Sequence, residues 1–197
     1  GPTREAIDPV RFIGNRSSGR MGFALAQAAR EAGASVTLIS GPSAQPTPED
    51  VDRVDVETAA EMHAAVMQRI AQHRIFIAAA AVADYRPRSA RAHKLKKHDA
   101  ELSIELERTE DILAAVAASK PRPFVVGFAA ETENLESNAR SKMSHKSLDM
   151  IAANLVGKDE NAQDIGFNSE YNALHVFWPD GERRLEQARK TMLAREL

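Results

Sequence analysis

The chain of 197 residues contains no cysteine, which excludes a disulfide framework and any thiolate metal site and fits a reducing compartment. Cytoplasmic location is the expectation. It also lacks an excess of either charge: Lys plus Arg number 26 against 28 for Asp plus Glu, a net charge of −2. That balance gives no electrostatic reason to expect nucleic acid or an anionic membrane as a partner. No apolar run approaches the ~18 residues of a membrane span, and the amino terminus lacks the charged, apolar, small-residue order of a signal peptide. There is no internal repeat and no low-complexity tract. The length suits a single domain over 1–197 with one sizeable core. Gly1-Pro2-Thr3-Arg4 is a turn-like opening with no element before it, and the expectation is that a strand or a whole domain precedes it in a longer parent.

What is present is alternation. Met21, Ala24, Leu25, Ala28 and Ala29 recur at helical spacing over 20–30, with Gly33 as the stop. A β-rich run over 35–40 ends at Gly41-Pro42, and a polar, proline-bearing loop follows to residue 50. A short strand is expected over 54–56. Thr58 then caps a helix over 59–72 with Met62, Ala65, Val66 and Ile70 inward. Strands over 75–79, 124–128 and 150–154 alternate with helices over 111–119 and 134–146. Continuous apolar strands between amphipathic helices predict a Rossmann-like, doubly wound α/β fold whose mostly parallel sheet is covered on both faces. Right-handed crossovers collect the strand-to-helix loops at one sheet edge, where such folds bind ligands. The tail reads as an added hairpin, 173–178 and 183–185 about the turn 179–181, followed by a last helix from 186. Two segments break the pattern: the basic stretch 84–97, which has no apolar period and reads as a mobile flap, and the polar loop 159–170.

Several residues at the loop edge could do chemistry. Asn15-Arg16-Ser17-Ser18-Gly19-Arg20-Met21-Gly22 opens the first helix and offers hydroxyls, glycines and exposed N–H groups that suit phosphate oxygens. Ser17 or Ser18 serves equally as a plain N-cap. The segment matches neither a P-loop nor G-x-G-x-x-G. Lys94, Lys96 and Lys97 put three ammonium groups within four residues. Such a run is either a solvated face or a partner for a polyanion, in which case a basic flap closes over a triphosphate. Asp84 follows the small-residue run Ala78 to Ala83, where a ribose hydroxyl or Mg²⁺ could be held or a turn merely capped. Lys142 and Lys146 share one helix face. The six histidines show no ligand spacing, and no serine, histidine and acid set suggests a hydrolase.

The words of the sequence carry a resemblance. Gly1 to Asp8, Val10 to Ile13 and Asn15 to Gly22 are similar to the opening of bacterial phosphopantothenoylcysteine synthetases. So, in order, are Ala80 to Tyr85, the K-x-K-K string Lys94 to Lys97, Val126 to Thr132, Lys142 with Lys146, Asp149 to Asn154 and Gly166-Phe167-Asn168. The resemblance implies a homodimeric ligase joining 4'-phosphopantothenate to cysteine with CTP and Mg²⁺, through an acyl-cytidylate, in coenzyme A biosynthesis. By residue it implies that Asn15 is catalytic, positioning or stabilising the acyl-nucleotide during cysteine attack with its amide placed where an oxyanion develops, that Ser17, Ser18 and Gly19 face phosphate, and that Lys94 is the catalytic flap lysine. It implies a nucleotide site lined by Ala78, Ala79, Ala80, Asp84, Glu110, Asp111, Ile112, Leu113, Phe128, Lys142 and Lys146. Its metal ligands are left open. In many bacteria such a domain follows a flavin-dependent decarboxylase, so ligase activity without bound FMN is expected of this chain. Two other classes remain: a short-chain-type NAD(P)-dependent oxidoreductase, for which the residue four places after Tyr85 is Ser89 rather than lysine, and a non-catalytic nucleotide-binding module.

Overall fold

The structure, a computed structural model, describes residues 1–96, 102–131, 133–155, 157–158, 164–165 and 169–197. The expectations for Lys97, for 159–163 and for Gly166 to Asn168 lie outside the described residues. In chain order the elements are β1 (Arg4–Ala6), β2 (Phe12–Gly14), α1 (Arg20–Glu31), β3 (Thr37–Ser40), β4 (Asp52–Asp55), α2 (Ala59–Arg69), β5 (Ile75–Ala78), β6 (Tyr85–Pro87) and β7 (Leu106–Arg108). There follow α3 (Ile112–Ala117), β8 (Phe124–Glu131), α4 (Leu135–His145), β9 (Met150–Leu155), β10 (Gly157–Lys158), β11 (Asp164–Ile165), β12 (Tyr171–Trp178), β13 (Gly181–Arg189) and α5 (Lys190–Glu196). A 3₁₀ turn at Ile70–Gln72 closes α2.

The central sheet has the order β13-β12-β9-β8-β5. β5, β8 and β9 run parallel, and β12 joins β9 antiparallel. Side chains alternate across it. Val125, Ala129, Ile151, Ala153 and Phe177 pack on Met62, Val66, Ile112, Val116 and Ala139, from α2, α3 and α4. Ala152, Leu174 and Val176 cluster with Leu193 of α5, and Phe128 packs on that face against Leu25 of α1 and Ala194 of α5. A period of two with helices on both sides is the doubly wound arrangement that buried strands require. Local chemistry agrees with the ends of the helices. Thr58 forms a reciprocal capping box with Glu61, which stabilises α2 by about 1 kcal/mol. Gly33 takes φ +89° just past α1, the left-handed conformation in which a side chain would be strained.

Some boundaries differ from the expectations. Among the described residues β3 and β4 pair only with each other, in parallel, and the segment before β1 lies beside both this pair and the end of β5. Pro2 bridges Ala81, and a Cβ on Gly41 would stand 1.8 Å from the Pro2 carbonyl oxygen. The opening is therefore not a bare turn, and β1 goes on to pair with β2 as a hairpin. The basic stretch is in part a strand: β6 pairs with β7 antiparallel, so the segment without regular structure begins after Pro87 rather than at Asp84. β11 falls inside the expected 159–170 loop and pairs with β10, which lies just before it. The last helix starts at Lys190 rather than 186, because β13 continues along β12 past a register shift between Asn172 and Leu174.

Candidate functional site

The carboxyl ends of β5 and β8 and the start of α1 meet at one edge. Ala78 stands opposite Gly127 in the parallel ladder. A Cβ on Gly22, one turn into α1, would lie 3.8 Å from that of Ala79. Gly19 is the N-cap of α1, in the left-handed conformation, and no side chain caps the helix. Neither serine is the plain cap that the sequence permits. Ser17 Oγ instead accepts from the Gly19 N–H at 3.3 Å, and the Ser43 hydroxyl donates to the Ser18 carbonyl at 2.9 Å. A groove beside this loop is lined by Arg4, Phe12, Asn15, Arg16, Ser17 and Ser18 together with residues 42–45.

Asn15 is fixed by its own amide. Its Nδ2 donates to the carbonyls of Ala81 at 3.0 Å and Val82 at 3.3 Å. Both amide hydrogens are thereby engaged, and the group left to act on a ligand is the acceptor Oδ1. Arg20 opens α1, and its charge reaches Lys190 at the start of α5. Lys190 is 6% exposed, and burial first, then Arg20, lowers its pKa to about 8.

On the other side of β8 stands a cluster of charges. Lys142 Nζ donates to the Phe128 carbonyl at 2.9 Å. Its pKa is lowered, first by burial and then by the charge of Lys146, against the opposing pull of Glu131, Asp84 and Asp111. Lys146 Nζ lies 2.8 Å from Asp111 Oδ2, and Asp111 Oδ1 caps α3 by accepting from the Ala114 N–H at 3.0 Å. Burial pushes the Asp111 carboxyl up, but the Lys146 and Ala114 hydrogen bonds outweigh it and the pKa falls. Glu110 reaches His63 Nδ1 at 3.0 Å. Ile112 and Leu113 are buried, so only their backbone is open to a ligand.

The structure thus brings together Asp84, Asp111, Phe128, Lys142 and Lys146, with Ala78 one strand away and Asn15, Ser17, Ser18 and Gly19 around the end of β5. Lys94 stands apart: among the described residues it makes no hydrogen bond or ion pair with this cluster. Sequence reasoning overlooked Thr3 and Thr109. Thr3, fully buried, accepts from the Ala83 N–H at 2.9 Å. Thr109 donates its hydroxyl to the Ala83 carbonyl at 2.7 Å and its N–H to that of Asp84 at 3.0 Å. These two hydroxyls hold the strand end that carries Asp84, and no sequence signal marks them because their partners are distant in the chain. Among the described residues no group of three His, Cys, Asp or Glu could enclose a metal ion, and no helix is long and apolar enough to cross a membrane.

Comparison with known proteins gives one consistent result. A family model described as the DNA/pantothenate metabolism flavoprotein C-terminal domain matches residues 1–197. The chain is 54% identical over 197 residues to the coenzyme A biosynthesis bifunctional protein CoaBC of Vibrio cholerae, covering 98% of this chain and 48% of that protein. It is 53% identical over 201 residues to the CoaBC of Escherichia coli, covering 100% and 48%. The chain therefore spans about half the length of the curated relatives it matches. Among solved structures, the C-terminal domain of CoaBC aligns with a TM-score of 0.81 at 41% identity, over 100% of this chain and 87% of that one. A Cab2 mutant in complex with phosphopantothenate-cysteine aligns with a TM-score of 0.79 at 17% identity, over 98% and 81%, a likeness that shows the fold alone.

Proposed function

Because the chain belongs to the family of the DNA/pantothenate metabolism flavoprotein C-terminal domain, we propose that it is the ligase that joins 4'-phosphopantothenate to cysteine in coenzyme A biosynthesis, with CTP as cosubstrate. The observation that carries this reading is the whole-chain likeness to the C-terminal domain of CoaBC at 41% identity. The geometry supplies the chemistry. A free carboxylate is a poor electrophile and must be activated. Its oxygen attacks the α-phosphorus of CTP, the bond to the β-phosphate breaks and pyrophosphate leaves; the cysteine nitrogen then attacks the acyl carbon, and CMP departs with the bridging oxygen.

In this scheme Ser17, Ser18 and Gly19 face phosphate, at the end of a helix whose dipole favours anions. Lys142 and Lys146 face the triphosphate from the opposite side, while the backbone of Glu110 to Leu113 and the small side chains of Ala78 to Ala80 leave room for base and ribose. Asn15 Oδ1 accepts from the amine of cysteine and orients it; the oxyanion-donor role would require the amide to leave Ala81 and Val82. Mg²⁺ would arrive with the triphosphate, since it usually keeps waters and needs only one or two carboxylates, and Asp84 is the carboxylate at the strand end. Its chemistry is to neutralise charge on the phosphates. The homodimer and the cytoplasmic location belong to the same proposal. The oxidoreductase reading has no support in the glycine pattern or in the relatives.

The direct test is pyrophosphate release by the purified protein with Mg²⁺, 4'-phosphopantothenate and cysteine, comparing CTP with ATP. Release that requires phosphopantothenate and prefers CTP is the expected result. Binding of CTP without release would favour the non-catalytic module instead.

Lys142 makes a second expectation. Burial favours its neutral form, whereas a bound phosphate favours the charged form, so nucleotide binding takes up a proton. Affinity is full below the lowered pKa of the free protein and falls as pH rises through it. Lys142→Met should weaken CTP binding by about 1.5–3 kcal/mol, roughly 10- to 150-fold, and remove that pH dependence. Calorimetric titrations between about pH 7 and about pH 10 measure both, and an unchanged affinity in the variant would take Lys142 out of the site.

A further inference from the structure

We propose that Thr109 is a positioning residue for the nucleotide site: its N–H and its hydroxyl bind two successive carbonyls and so fix the Asp84 carboxylate beside Lys142. The effect on nucleotide affinity, though not the positioning itself, rests on the ligase reading above. Between the end of β5 at Ala78 and the start of β6 at Tyr85 the chain joins no ladder, apart from the single bridge of Pro2 to Ala81. Backbone groups outside a ladder must find other partners, and here distant segments supply them. The Asn15 amide donates to the carbonyls of Ala81 and Val82. Thr3 Oγ1 accepts from the Ala83 N–H at 2.9 Å. Thr109 takes the next two carbonyls: its hydroxyl donates to that of Ala83 at 2.7 Å and its N–H to that of Asp84 at 3.0 Å.

The two contacts of Thr109 are not alike. β6 and β7 pair with Tyr85 opposite Arg108, so the Thr109 N–H only carries that ladder on by one residue, as any residue except proline could. The hydroxyl reaches one residue further back, to a carbonyl that the ladder does not serve. Ala83 is 5% exposed, and a side chain without a donor would leave its carbonyl without this partner, which is costly in a buried place. With both carbonyls bound, the peptide units on either side of the Asp84 Cα are held, and with them the direction in which its side chain leaves the backbone. That direction matters at the site. The charges of Asp84 and Asp111 both act on Lys142, against burial and Lys146, and Asp111 lies two residues after Thr109, 2.8 Å from Lys146 Nζ. Thr109 therefore stands between the two carboxylates that face the lysine pair and sets their spacing. Asp84 is itself exposed, so its order comes from the main chain rather than from packing. A carboxylate spread over several orientations is competent for only a fraction of the time, and apparent affinity falls by that fraction while the bound state stays the same.

The test reads the backbone and the reaction separately. Thr109→Val keeps the N–H and the branched shape and removes only the hydroxyl donor. Amide hydrogen exchange at Ala83 and at residue 109 should then be at least about tenfold faster, while the amides of β8 and β9 exchange at their former rates. With Mg²⁺ present, the KM for CTP in pyrophosphate release should rise about tenfold, with kcat within about twofold of the unaltered value. Thr109→Ser restores the donor and should return both readouts toward those of the unaltered protein, which a role in shape alone would not allow. Thr109→Ala stands in if Thr109→Val does not fold by circular dichroism. Unchanged exchange in a folded variant overturns the positioning, as does exchange that quickens equally throughout the central sheet. Faster local exchange with unchanged KM, or with a loss confined to kcat, overturns the role in nucleotide affinity. If the unaltered protein releases no pyrophosphate, the ligase reading fails, and the exchange rates still decide whether Thr109 holds the segment that carries Asp84.

Discussion

Asn15→Asp should release pyrophosphate from CTP and 4'-phosphopantothenate at close to the unaltered rate, yet form the cysteine adduct at least about a hundredfold more slowly, the scale on which a single well-placed polar group acts in a transition state. The two steps separate because they use different groups. In the proposed scheme the phosphate contacts at the start of α1 would come from Ser17, Ser18 and Gly19 and would not involve the amide. Asn15 is held by donation to two carbonyls, those of Ala81 and Val82. A carboxylate cannot donate, so the side chain is repelled from both oxygens and no longer presents an acceptor at a defined place to the cysteine amine. Rapid quenching with separation of CTP, the acyl-cytidylate and the adduct measures the two rates independently. Unimpaired adduct formation would remove Asn15 from the mechanism, and equal loss of both steps would mean that it shapes the nucleotide site instead.

Lys94→Gln should fail earlier. Activation gathers negative charge on the departing pyrophosphate, and a lysine ammonium directed at it is expected to contribute about 10²–10³ in rate. Because Lys94 makes no ion pair or hydrogen bond among the described residues, its replacement removes no stabilising contact from the fold, and thermal unfolding should shift little. Single-turnover measurement of pyrophosphate release beside a melting curve separates the two. Slow activation with an unchanged melting temperature is the expected pair of results. An unchanged rate would return the Lys94 to Lys97 run to an ordinary solvated face. The contrast with Asn15 is informative in itself, since the two substitutions should block successive steps and the acyl-cytidylate should build up only in the first.

What the sequence made legible follows from how far apart interacting residues lie. The central strands β8 and β9 declare themselves through Val125 to Phe128 and Met150 to Ala153, because burial on both faces leaves no polar position, and β5 is equally apolar although it borders the sheet with Ile75 and Ile77 exposed. α2 is legible down to its cap, since Thr58 and Glu61 are three residues apart. The hairpins β1–β2 and β6–β7 are not, because each strand spans only three residues and no apolar alternation marks them, the charged Glu5 of β1 being buried. For the site, the helical spacing of Lys142 and Lys146 points to a shared face. It does not reveal that Lys146 is engaged by Asp111 while Lys142 turns to the Phe128 carbonyl. No sequence signal marks the reach of Asp8, which accepts from the nearby N–H groups of Val10 and Arg11. Its distant partner, the Leu95 N–H, can be found only once the chain has folded back.

The added tail has a consequence for solubility. Without β12 and β13, the strand Met150–Leu155, whose residues Ile151, Ala152 and Ala153 are fully buried, would stand at the border of the sheet with its backbone groups unpaired, a template for association with another chain. β12 covers that strand, and β13 becomes the border in its place. Glu182, Arg183, Arg184, Glu186 and Arg189 lie along it, so a further strand approaching this side would have to desolvate charges of both signs. The hairpin thus acts as a gatekeeper against aggregation as well as a scaffold, and a variant that makes its outer face apolar would preserve the packing beneath while inviting sheet-to-sheet assembly.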